Sequence, residues 1–453
     1  MKIFVEDYGA KSDGSTLCTG AVQAAIDACG AGGGGEVCFS AGRYVCSTVF
    51  LRSGVHIVVG KGAQVLGSLN FSDYRADEPK QTPCYQDASH SFFHCSLFVA
   101  EDCEDVGISG GGDIDMRSVW DEQNVRDMAH RGAKCIAMKN CRKVRLAGVS
   151  VRNVTDLAVY CAGCEDVMIS RLKLRVHIDG ISPDNCNRVT IADCDVESGD
   201  DGIVFKSSYV LDRIGVCENV TVKRCRIKSC CSAIKFGTES IGGFRNFTVE
   251  DVRIRDTWLA GIAVESVDGA VIDGLTFRNI RMKNVGGPLF VHLGNRLRAP
   301  EGRTVGEIRN LIFENIRVEG PYKRFDAFAW NYDTFRSGNL WQFPYLEKEE
   351  EWRNHKGFTS NVCGLPEKPL ENIRLKKVLL TVPGGISERL ISLEEGDASG
   401  YPEIFVYGET LPAKGIFFRH VRGLECSEMR VTTERADARD PFVFDDVETL
   451  IFR

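Results

Sequence analysis

The chain has 453 residues, 43% of them hydrophobic, and a formal net charge of −7. Length alone would suggest two or three domains, although repeat folds depart from that expectation. The acidic balance argues against a nucleic-acid partner and against a polybasic membrane-binding role. A neutral or anionic polymer could still bind a locally basic cleft.

The sequence also gives an expectation for the cellular compartment of the protein. The opening residues, MKIFVEDYGAKSDG, contain no apolar stretch of signal-peptide length. No segment approaches the roughly 18 apolar residues of a membrane span. The 19 cysteines are an odd number, so at least one would stay unpaired even under full disulfide pairing. We therefore expect a cytoplasmic protein with reduced thiols.

The first predicted element is a helix within residues 17–34. Its apolar face consists of Ala21, Val22, Ala25, Ile26 and Cys29. A glycine run then ends the helix. Because a stack of repeats needs its open end covered, we expect this helix to cap the N-terminal end of the fold.

One apolar spacing, at positions i, i+2, i+5 and i+7, then recurs along the chain. Its copies begin at Val144, Val167, Val189, Val220, Phe247, Ala270, Leu311, Ile373 and Leu424. Positions two apart share one face of a strand, and the three-residue step between the pairs indicates a corner. Stacking such units buries a continuous apolar column. The sequence therefore predicts an all-β parallel β-helix of about ten coils, formed as one domain over residues 1–453.

Five cysteines share one position of the repeat, three residues ahead of an apolar ladder. They are Cys103, Cys141, Cys164, Cys186 and Cys217. We expect them to stack as small apolar side chains at a tight corner. The CAGC stretch has no matching second pair at zinc-finger spacing, so we expect no metal site there.

Residues 321–369 interrupt the ladder with an aromatic-rich loop insertion. Long loops on a rigid scaffold often shape a binding groove. A self-packed excursion or a subunit contact is an equally good interpretation of the insertion.

Three aspartates stand one coil apart. Asp179 lies in HIDGISPD, and Asp200 and Asp201 lie 21 and 22 residues later in SGDDGIVFKSS. Neighbouring strands are about 4.8 Å apart, so the three carboxyl groups should converge. They cannot all ionise cheaply; one can serve as a general acid while ionised neighbours activate a water, as glycoside hydrolysis requires. A calcium site or a structural aspartate ladder remains an alternative.

The sequence resembles glycoside hydrolase family 28, the polygalacturonase family, over nearly its whole length. HIDGISPD matches N-x-D-G-x-x-P-D, SGDD matches G-D-D, and GTESIGGFRN echoes a further family motif. The resemblance implies a right-handed parallel β-helix and assigns Asp200 as the general acid. It also implies that Asp179 and Asp201 position and deprotonate the water, with inversion at the anomeric carbon.

Two departures from the family pattern concern the substrate. Ser232 replaces the histidine of Gly-His-Gly, and Ala263 and Glu265 replace the Arg-x-Lys pair. In the family that Arg and Lys bind the galacturonate carboxylate, which a glutamate would repel. The scissile sugar is therefore not galacturonate, or its carboxylate is bound elsewhere, with Lys206 and Lys235 as possible replacements.

The remaining candidates have alternative roles. His177 replaces the asparagine of the family motif, and it either contacts the substrate or supports Asp179. Lys206 and Lys235 could instead be solvated, or paired with Glu239. Weaker candidates are His292, Arg296, Arg419 and His420, each of which could equally be an ordinary coil residue.

The sequence thus predicts an inverting, exo-acting glycosidase for small pectin-type oligosaccharides that does not cleave plain homogalacturonan. No cofactor, metal, nucleic-acid partner or membrane partner is expected, and the oligomeric state is undetermined. A polysaccharide lyase or uronate epimerase is the alternative enzyme class, although the loss of Arg and Lys counts against it. A non-catalytic glycan-binding β-helix is the third hypothesis, which the retention of all three aspartates disfavours.

Overall fold

The computed structural model describes residues 1–118, 132–322, 357–389, 400–408 and 410–453. The chain forms two compact units. The N-terminal unit comprises residues 1–199 and 209–213, and the C-terminal unit comprises residues 200–208 and 214–453. Strands dominate the described part of each unit, which confirms the prediction of an all-β fold.

The elements of the N-terminal unit are short strands and a few helical turns. Its described strands are β1 (Lys2–Phe4), β2 (Asp13–Leu17), β3 (Gly35–Phe39), β4 (Gly42–Cys46), β5 (Val49–Phe50), β6 (Val55–Val59), β7 (Ala63–Gly67), β8 (Ser96–Glu101), β9 (Glu104–Gly110), β10 (Asp113–Asp115), β11 (Lys134–Lys139), β12 (Arg142–Ala147), β13 (Ser150–Arg152), β14 (Val159–Ala162), β15 (Glu165–Ser170), β16 (Lys173–Val176), β17 (Ile181–Asp184), β18 (Asn187–Ala192) and β19 (Asp195–Ser198). Its helices are α1 (Thr19–Ala31) and the 3₁₀ turns Val5–Tyr8, Phe71–Asp73 and Ala88–His90.

These strands stack in three parallel rows. The first row is β1, β3, β6, β9, β12, β15 and β18; the second is β2, β4, β7, β10, β13, β16 and β19; the third is β5, β8, β11, β14 and β17. Val167 pairs with Val189, and Val159 pairs with Ile181, so one coil spans 22 residues here. The predicted parallel β-helical stacking is therefore present in this unit.

The predicted N-terminal helix is confirmed at Thr19–Ala31. Val22, Ala25, Ile26 and Cys29 are buried, as the apolar face requires, whereas Ala21 is only partly buried. The helix packs against β1, β3 and β5. Its role as a cap stays a prediction, as do the number of coils and their right-handedness.

The C-terminal unit has fewer but longer strands. They are β20 (Ile203–Ser207), β21 (Cys217–Lys223), β22 (Arg226–Ser229), β23 (Ile234–Ser240), β24 (Gly243–Glu250), β25 (Arg253–Ser266), β26 (Val271–Leu293), β27 (Glu307–Glu319), β28 (Ser360–Cys363), β29 (Leu370–Val382), β30 (Ala413–Ser427), β31 (Arg430–Thr433) and β32 (Asp440–Phe452). All their pairings in the described residues are parallel.

Three rows recur in this unit as well, and one long strand can pass through all of them. The strand β26 pairs with β24 in the first row, with the start of β25 in the second, and with the end of β25 in the third. The coil length varies: 26 residues separate Leu424 from its partner Leu450, and 62 separate Leu311 from Ile373. Extra residues therefore enter between strands without changing the rows.

The apolar ladder faces inward, as predicted. Val167, Ile169, Leu172 and Leu174 are all buried. Between β15 and β16, Arg171 has a φ of 53°, the left-handed conformation that turns the chain at the corner. The same conformation occurs at the equivalent positions Gly148, Asp193, Arg224 and Asp251. The predicted strand–corner–strand unit is thus confirmed.

One predicted copy of the ladder is wrong in register. Phe247 pairs with Leu275 and Val249 pairs with Phe277, so the ladder copy begins at Leu275 rather than at Ala270. The error has a structural cause. The first-row strand already begins before the ladder in this coil, where buried Phe244 pairs with Ile272, and these apolar residues imitate the ladder spacing.

The cysteines at the shared coil position line up in the N-terminal unit. Cys103, Cys141, Cys164 and Cys186 are buried, and each directly precedes residues that pair in the first row. The Cys141 backbone N–H lies 3.4 Å from Cys164 Sγ. Cys217 is also buried, in the C-terminal unit. All 19 cysteines lie in the described residues, and all are free thiols.

Most of the aromatic insertion predicted at 321–369 lies outside the described residues, which resume at residue 357. Within its last part, β28 pairs with β26 and β30. The insertion and the single domain over residues 1–453 stay predictions. Among the described residues there is no helix with the length and apolar character needed to cross a membrane.

Candidate active site

Asp179 lies in the N-terminal unit, in the turn between β16 and β17. Its backbone carbonyl accepts a hydrogen bond from the Ala158 N–H at 3.0 Å, which fixes the turn against the preceding coil. The side chain is buried, and its Oδ2 lies 3.5 Å from His90 Nε2. His90 in turn contacts Asp87 through Nδ1 at 3.1 Å. An aspartate–histidine–aspartate chain thus leads to Asp179.

His90 was not found by sequence reasoning. It lies in the 3₁₀ turn Ala88–His90, before the first recognised copy of the repeat, so no spacing connected it with Asp179. Its backbone carbonyl accepts a hydrogen bond from the Tyr160 hydroxyl at 2.9 Å. This buried contact fixes the turn that presents the imidazole.

His177 is buried in the same unit, at the end of β16. Its Nε2 lies 3.1 Å from Ser118 Oγ. Its backbone N–H donates to the Val154 carbonyl at 2.9 Å, which ties the residue to the coil before it. The choice between substrate contact and support of Asp179 stays open.

Asp200 and Asp201 lie in the C-terminal unit, immediately before β20. Asp201 is buried, whereas Asp200 is partly exposed, so the adjacent carboxylates occupy different environments. Asp201 Oδ1 accepts a hydrogen bond from the Ser232 N–H at 3.0 Å. The Asp200 backbone carbonyl accepts one from Ser229 Oγ at 2.6 Å. The backbone of the pair is therefore held independently of the Asp200 side chain.

Gly202 allows the segment that carries Asp200 and Asp201 to pack closely against the neighbouring coil. A Cβ at this position would lie 2.6 Å from the Ala233 carbonyl oxygen and 2.4 Å from Ile227 Cγ2. Only glycine allows the neighbouring coil to approach at this distance. Replacing it would push Asp201 away from the Ser232 N–H that its side chain accepts from.

Lys235 is the centre of a buried ionic cluster in the C-terminal unit. Its Nζ lies 2.5 Å from Glu403 Oε1, 3.6 Å from Asp201 Oδ2 and 3.8 Å from Glu265 Oε1. Burial alone would lower the pKa of Lys235, but the neighbouring acidic groups of Asp201, Glu403 and Glu265 raise it well above its ordinary value. The lysine is therefore a permanent cation that faces three carboxyl groups.

Glu265 is fully buried, with 0% exposure. Burial raises its pKa well above the ordinary value, against the opposing effect of Lys235. In the described residues neither carboxyl oxygen has a hydrogen-bond partner. Such an environment disfavours the charged form of a carboxyl group, so Glu265 is biased towards its neutral form.

Strand register explains why Lys235 and Glu265 meet. Lys235 on β23 pairs directly with Ala263 on β25. Glu265 lies two positions beyond Ala263 and therefore shares its face. The small alanine leaves room for the lysine side chain beside the glutamate. Lys235 thus lies one coil before Ala263 and Glu265, the positions at which the sequence resemblance would place an Arg and a Lys.

The other predicted candidates have identifiable partners. Lys206 Nζ lies 2.5 Å from Glu239 Oε2 in a second buried ion pair. His292 Nδ1 lies 3.0 Å from the Tyr407 hydroxyl. Burial lowers the pKa of His292 to about 4, so its imidazole is neutral above that pH. The weaker candidate Arg419 forms an ion pair with Asp445, and His420 Nδ1 lies 2.6 Å from Asp446 Oδ2.

Segment 400–408 contributes site residues that sequence reasoning missed. Glu403 and Tyr407 come from this segment and reach Lys235 and His292. Glu403 is separated from Lys235 by 168 residues and belongs to no copy of the repeat. No pattern in the sequence connected the two.

Within the C-terminal unit the fold therefore brings together Asp201, the Ser232 N–H, Lys235, Glu265 and Glu403. Asp179 and His177 belong to the N-terminal unit.

Comparison with known proteins identifies the family. The sequence profile described as "Glycosyl hydrolases family 28" matches residues 51–322, more than half of the chain. The chain belongs to glycosyl hydrolases family 28. This membership confirms the sequence-based recognition and places the family 28 protein among the glycosidases.

Individual relatives of the family 28 protein are distant. A probable polygalacturonase from Vitis vinifera is 26% identical over 266 residues, which cover 54% of this chain and 53% of that protein. An endo-polygalacturonase from Pectobacterium carotovorum is 24% identical over 330 residues, which cover 68% and 78%. The chain thus spans about half the length of the first relative.

A solved structure supports the fold. The family 28 exopolygalacturonase of Yersinia enterocolitica matches with a TM-score of 0.70 and 17% identity, covering 99% of this chain and 78% of that one. Together with the parallel rows described above, this match shows a parallel β-helix. Identity at this level gives the fold and not the substrate.

Proposed function

We propose that this family 28 protein is an inverting, exo-acting glycosidase for small pectin-type oligosaccharides that does not cleave plain homogalacturonan. In this proposal Asp200 is the general acid, and Asp201 and Asp179 position and deprotonate the water. The sugar released at the active site is neutral or has no carboxylate facing Lys235.

The observation that carries the proposal is the environment of Lys235. Its ammonium already faces Glu403, Asp201 and Glu265 within 3.8 Å. A further carboxylate at 4 Å from Asp201 or Glu403 would meet a repulsion of about 4 kcal/mol per charge at an effective dielectric constant near 20. The cluster is therefore unsuited to hold a galacturonate carboxylate.

The residues present supply the chemistry of inversion. Asp201 is held by the Ser232 N–H and lies beside the Lys235 cation, and both interactions favour its ionised form. Asp200 is more exposed, which allows it to reach a leaving-group oxygen. Asp179 precedes Asp201 by 22 residues, the same step as between paired Val159 and Ile181, and this spacing supports its joint role with Asp201.

Exo action and small substrates are supported indirectly. The structurally similar Yersinia protein is described as an exopolygalacturonase. The 19 free thiols suit a reducing compartment, and we propose a cytoplasmic location, where imported oligosaccharides are the available substrates. These parts of the proposal can fail without affecting the assignment of the aspartates.

Product analysis tests the reaction class. Incubation with pectin-derived oligosaccharides is expected to release a sugar from one chain end, initially as the anomer opposite to that of the substrate. Proton NMR during the first turnovers follows the anomer, and chromatography identifies the sugar. Retention at the anomeric carbon, or an unsaturated product of the kind that a lyase forms, would contradict the proposal.

Removal of metal ions is expected to leave the activity unchanged. A protonated and an ionised carboxyl group suffice for inversion without a cation. Activity would be measured after extensive dialysis against EDTA, and again after calcium is restored. Loss on chelation with recovery on calcium addition would refute this prediction and favour the lyase alternative.

A further inference from the structure

Segment 400–408 is held firmly in the C-terminal unit. Arg296 Nη1 donates to the Gly400 carbonyl at 3.1 Å while its Nη2 lies 2.6 Å from Asp268 Oδ2. Asn361 Nδ2 donates to the Ile404 carbonyl at 3.0 Å, and Ile404 is buried. With the contact of Tyr407 to His292, the segment is fixed at its start, middle and end.

This fixed segment presents Glu403 to Lys235. Of the three carboxyl groups around the ammonium, Glu403 is the nearest, at 2.5 Å, and its side chain is also largely buried. Charge-assisted contacts of this length are the strong ones. Glu403 therefore takes one of the hydrogen bonds that the Lys235 ammonium could otherwise donate to a bound anion.

Lys235 is well placed to act on a substrate. Its Nζ lies 3.6 Å from Asp201 Oδ2, so a sugar held against Asp201 lies within reach of the ammonium. The lysine is paired in register with Ala263. Without Glu403, this cation would face the sugar as a receptor for a carboxylate.

We propose that Glu403 is a specificity-determining residue that, with Glu265, occupies Lys235 and thereby excludes sugars bearing a carboxylate. This inference deepens the proposed function and rests on it. Its consequence is a latent anion site: removal of the two glutamates should convert the position into one that binds a uronate.

Both glutamates have to be considered together. Once Glu403 is neutral, Glu265 still lies 3.8 Å from Lys235 Nζ, in addition to Asp201 at 3.6 Å. Loss of a neighbouring negative charge favours ionisation of Glu265, and the new carboxylate would take the place of Glu403. The single variant Glu403→Gln should therefore show a partial effect, and the double variant Glu265→Gln/Glu403→Gln the full effect.

The test compares the binding of galacturonate and galactose, which differ in the carboxylate, to full-length protein by isothermal titration calorimetry. The wild type is expected to favour galactose. In the double variant the ratio of galacturonate to galactose affinity should rise by about 10- to 100-fold, because a contact to a charged group is regained. Adding Lys235→Met should abolish the gain.

A matched control is Glu425→Gln. It neutralises a half-exposed glutamate that pairs with Arg374 at 2.9 Å on an outer face, and the affinity ratio should stay at the wild-type value. Thermal unfolding followed by circular dichroism shows which variants fold. If the double variant is unstable, the single variant Glu403→Gln still has to raise the ratio in a Lys235-dependent way.

The outcomes separate the two proposals. If the folded double variant keeps the wild-type ratio, or gains galacturonate binding that survives Lys235→Met, the role of Glu403 is refuted while the proposed function stands. If the wild type already hydrolyses polygalacturonate efficiently, the proposed function itself fails. A ratio that rises with the double variant and falls again with Lys235→Met supports the inference.

Discussion

Replacing Asp200 with asparagine is expected to reduce kcat by roughly 10²–10⁴-fold, the usual contribution of a general acid. An amide of the same shape cannot protonate the leaving-group oxygen. The fold should be unaffected, because the Asp200 backbone carbonyl is held by Ser229 Oγ and the side chain is partly exposed. Steady-state kinetics on the substrate found by product analysis, with thermal unfolding as a check, measures both effects.

A suitable control for this variant is Asp273→Asn. Asp273 pairs with Arg309 at 3.0 Å on a partly exposed surface of the C-terminal unit, so its replacement should change kcat by less than about twofold. Substrates with an activated leaving group should be less affected by Asp200→Asn, since they need less protonation. A variant that retains more than about a tenth of wild-type activity on the natural substrate would remove the assignment of Asp200 as the acid.

The second large effect concerns the substrate. We expect polygalacturonate to be hydrolysed at least about 10²- to 10³-fold less efficiently than a pectic oligosaccharide with a neutral terminal sugar. Losing a charge-assisted contact costs roughly 1.5–3 kcal/mol, or about 10- to 100-fold at roughly 1.4 kcal/mol per factor of ten. Repulsion between the uronate carboxylate and the acidic groups around Lys235 adds to this loss. Ala263 cannot provide such a contact, and Lys235 is already engaged by Glu403.

The measurement is a comparison of kcat/KM for digalacturonate, polygalacturonate and oligosaccharides ending in rhamnose or galactose. Values near 10⁴ M⁻¹s⁻¹ or above on polygalacturonate, within the ordinary range for enzymes, would show that the carboxylate is accommodated. The interpretation of Glu265 and Glu403 would then be wrong.

The periodic parts of this structure could be predicted from the sequence. The ladder spacing fixed the inward face and the corner at Arg171, and the composition of residues 17–34 predicted α1. The apolar spacing predicted the wrong strand register where the coil length changed. At Ala270 a buried stretch ahead of the ladder had the same spacing as the ladder itself, and only the pairing of Phe247 with Leu275 resolves the register.

Only those site residues that lie on positions of the repeat could be predicted from the sequence. The aspartates and Lys235 lie on coil positions, and motifs or spacing located them. Glu403 and His90 lie on segments outside the repeat, and their contacts depend on how those segments fold back onto the coils. The raised pKa of Glu265 was also beyond reach, because it depends on burial rather than on residue type.

The varying coil length of the C-terminal unit has a consequence for the evolution of this chain. The two longest separations in sequence between its successive described strands, from β27 to β28 and from β29 to β30, each follow a second-row strand and precede a third-row strand. The second of these stretches contains Glu403. Mutation, exchange or lengthening of these segments can therefore change which ligand is accepted while the hydrogen-bonded register of the coils is inherited unchanged. Specificity and folding can thus diverge separately, and a scaffold of this kind is suited to grafting a foreign segment between β29 and β30.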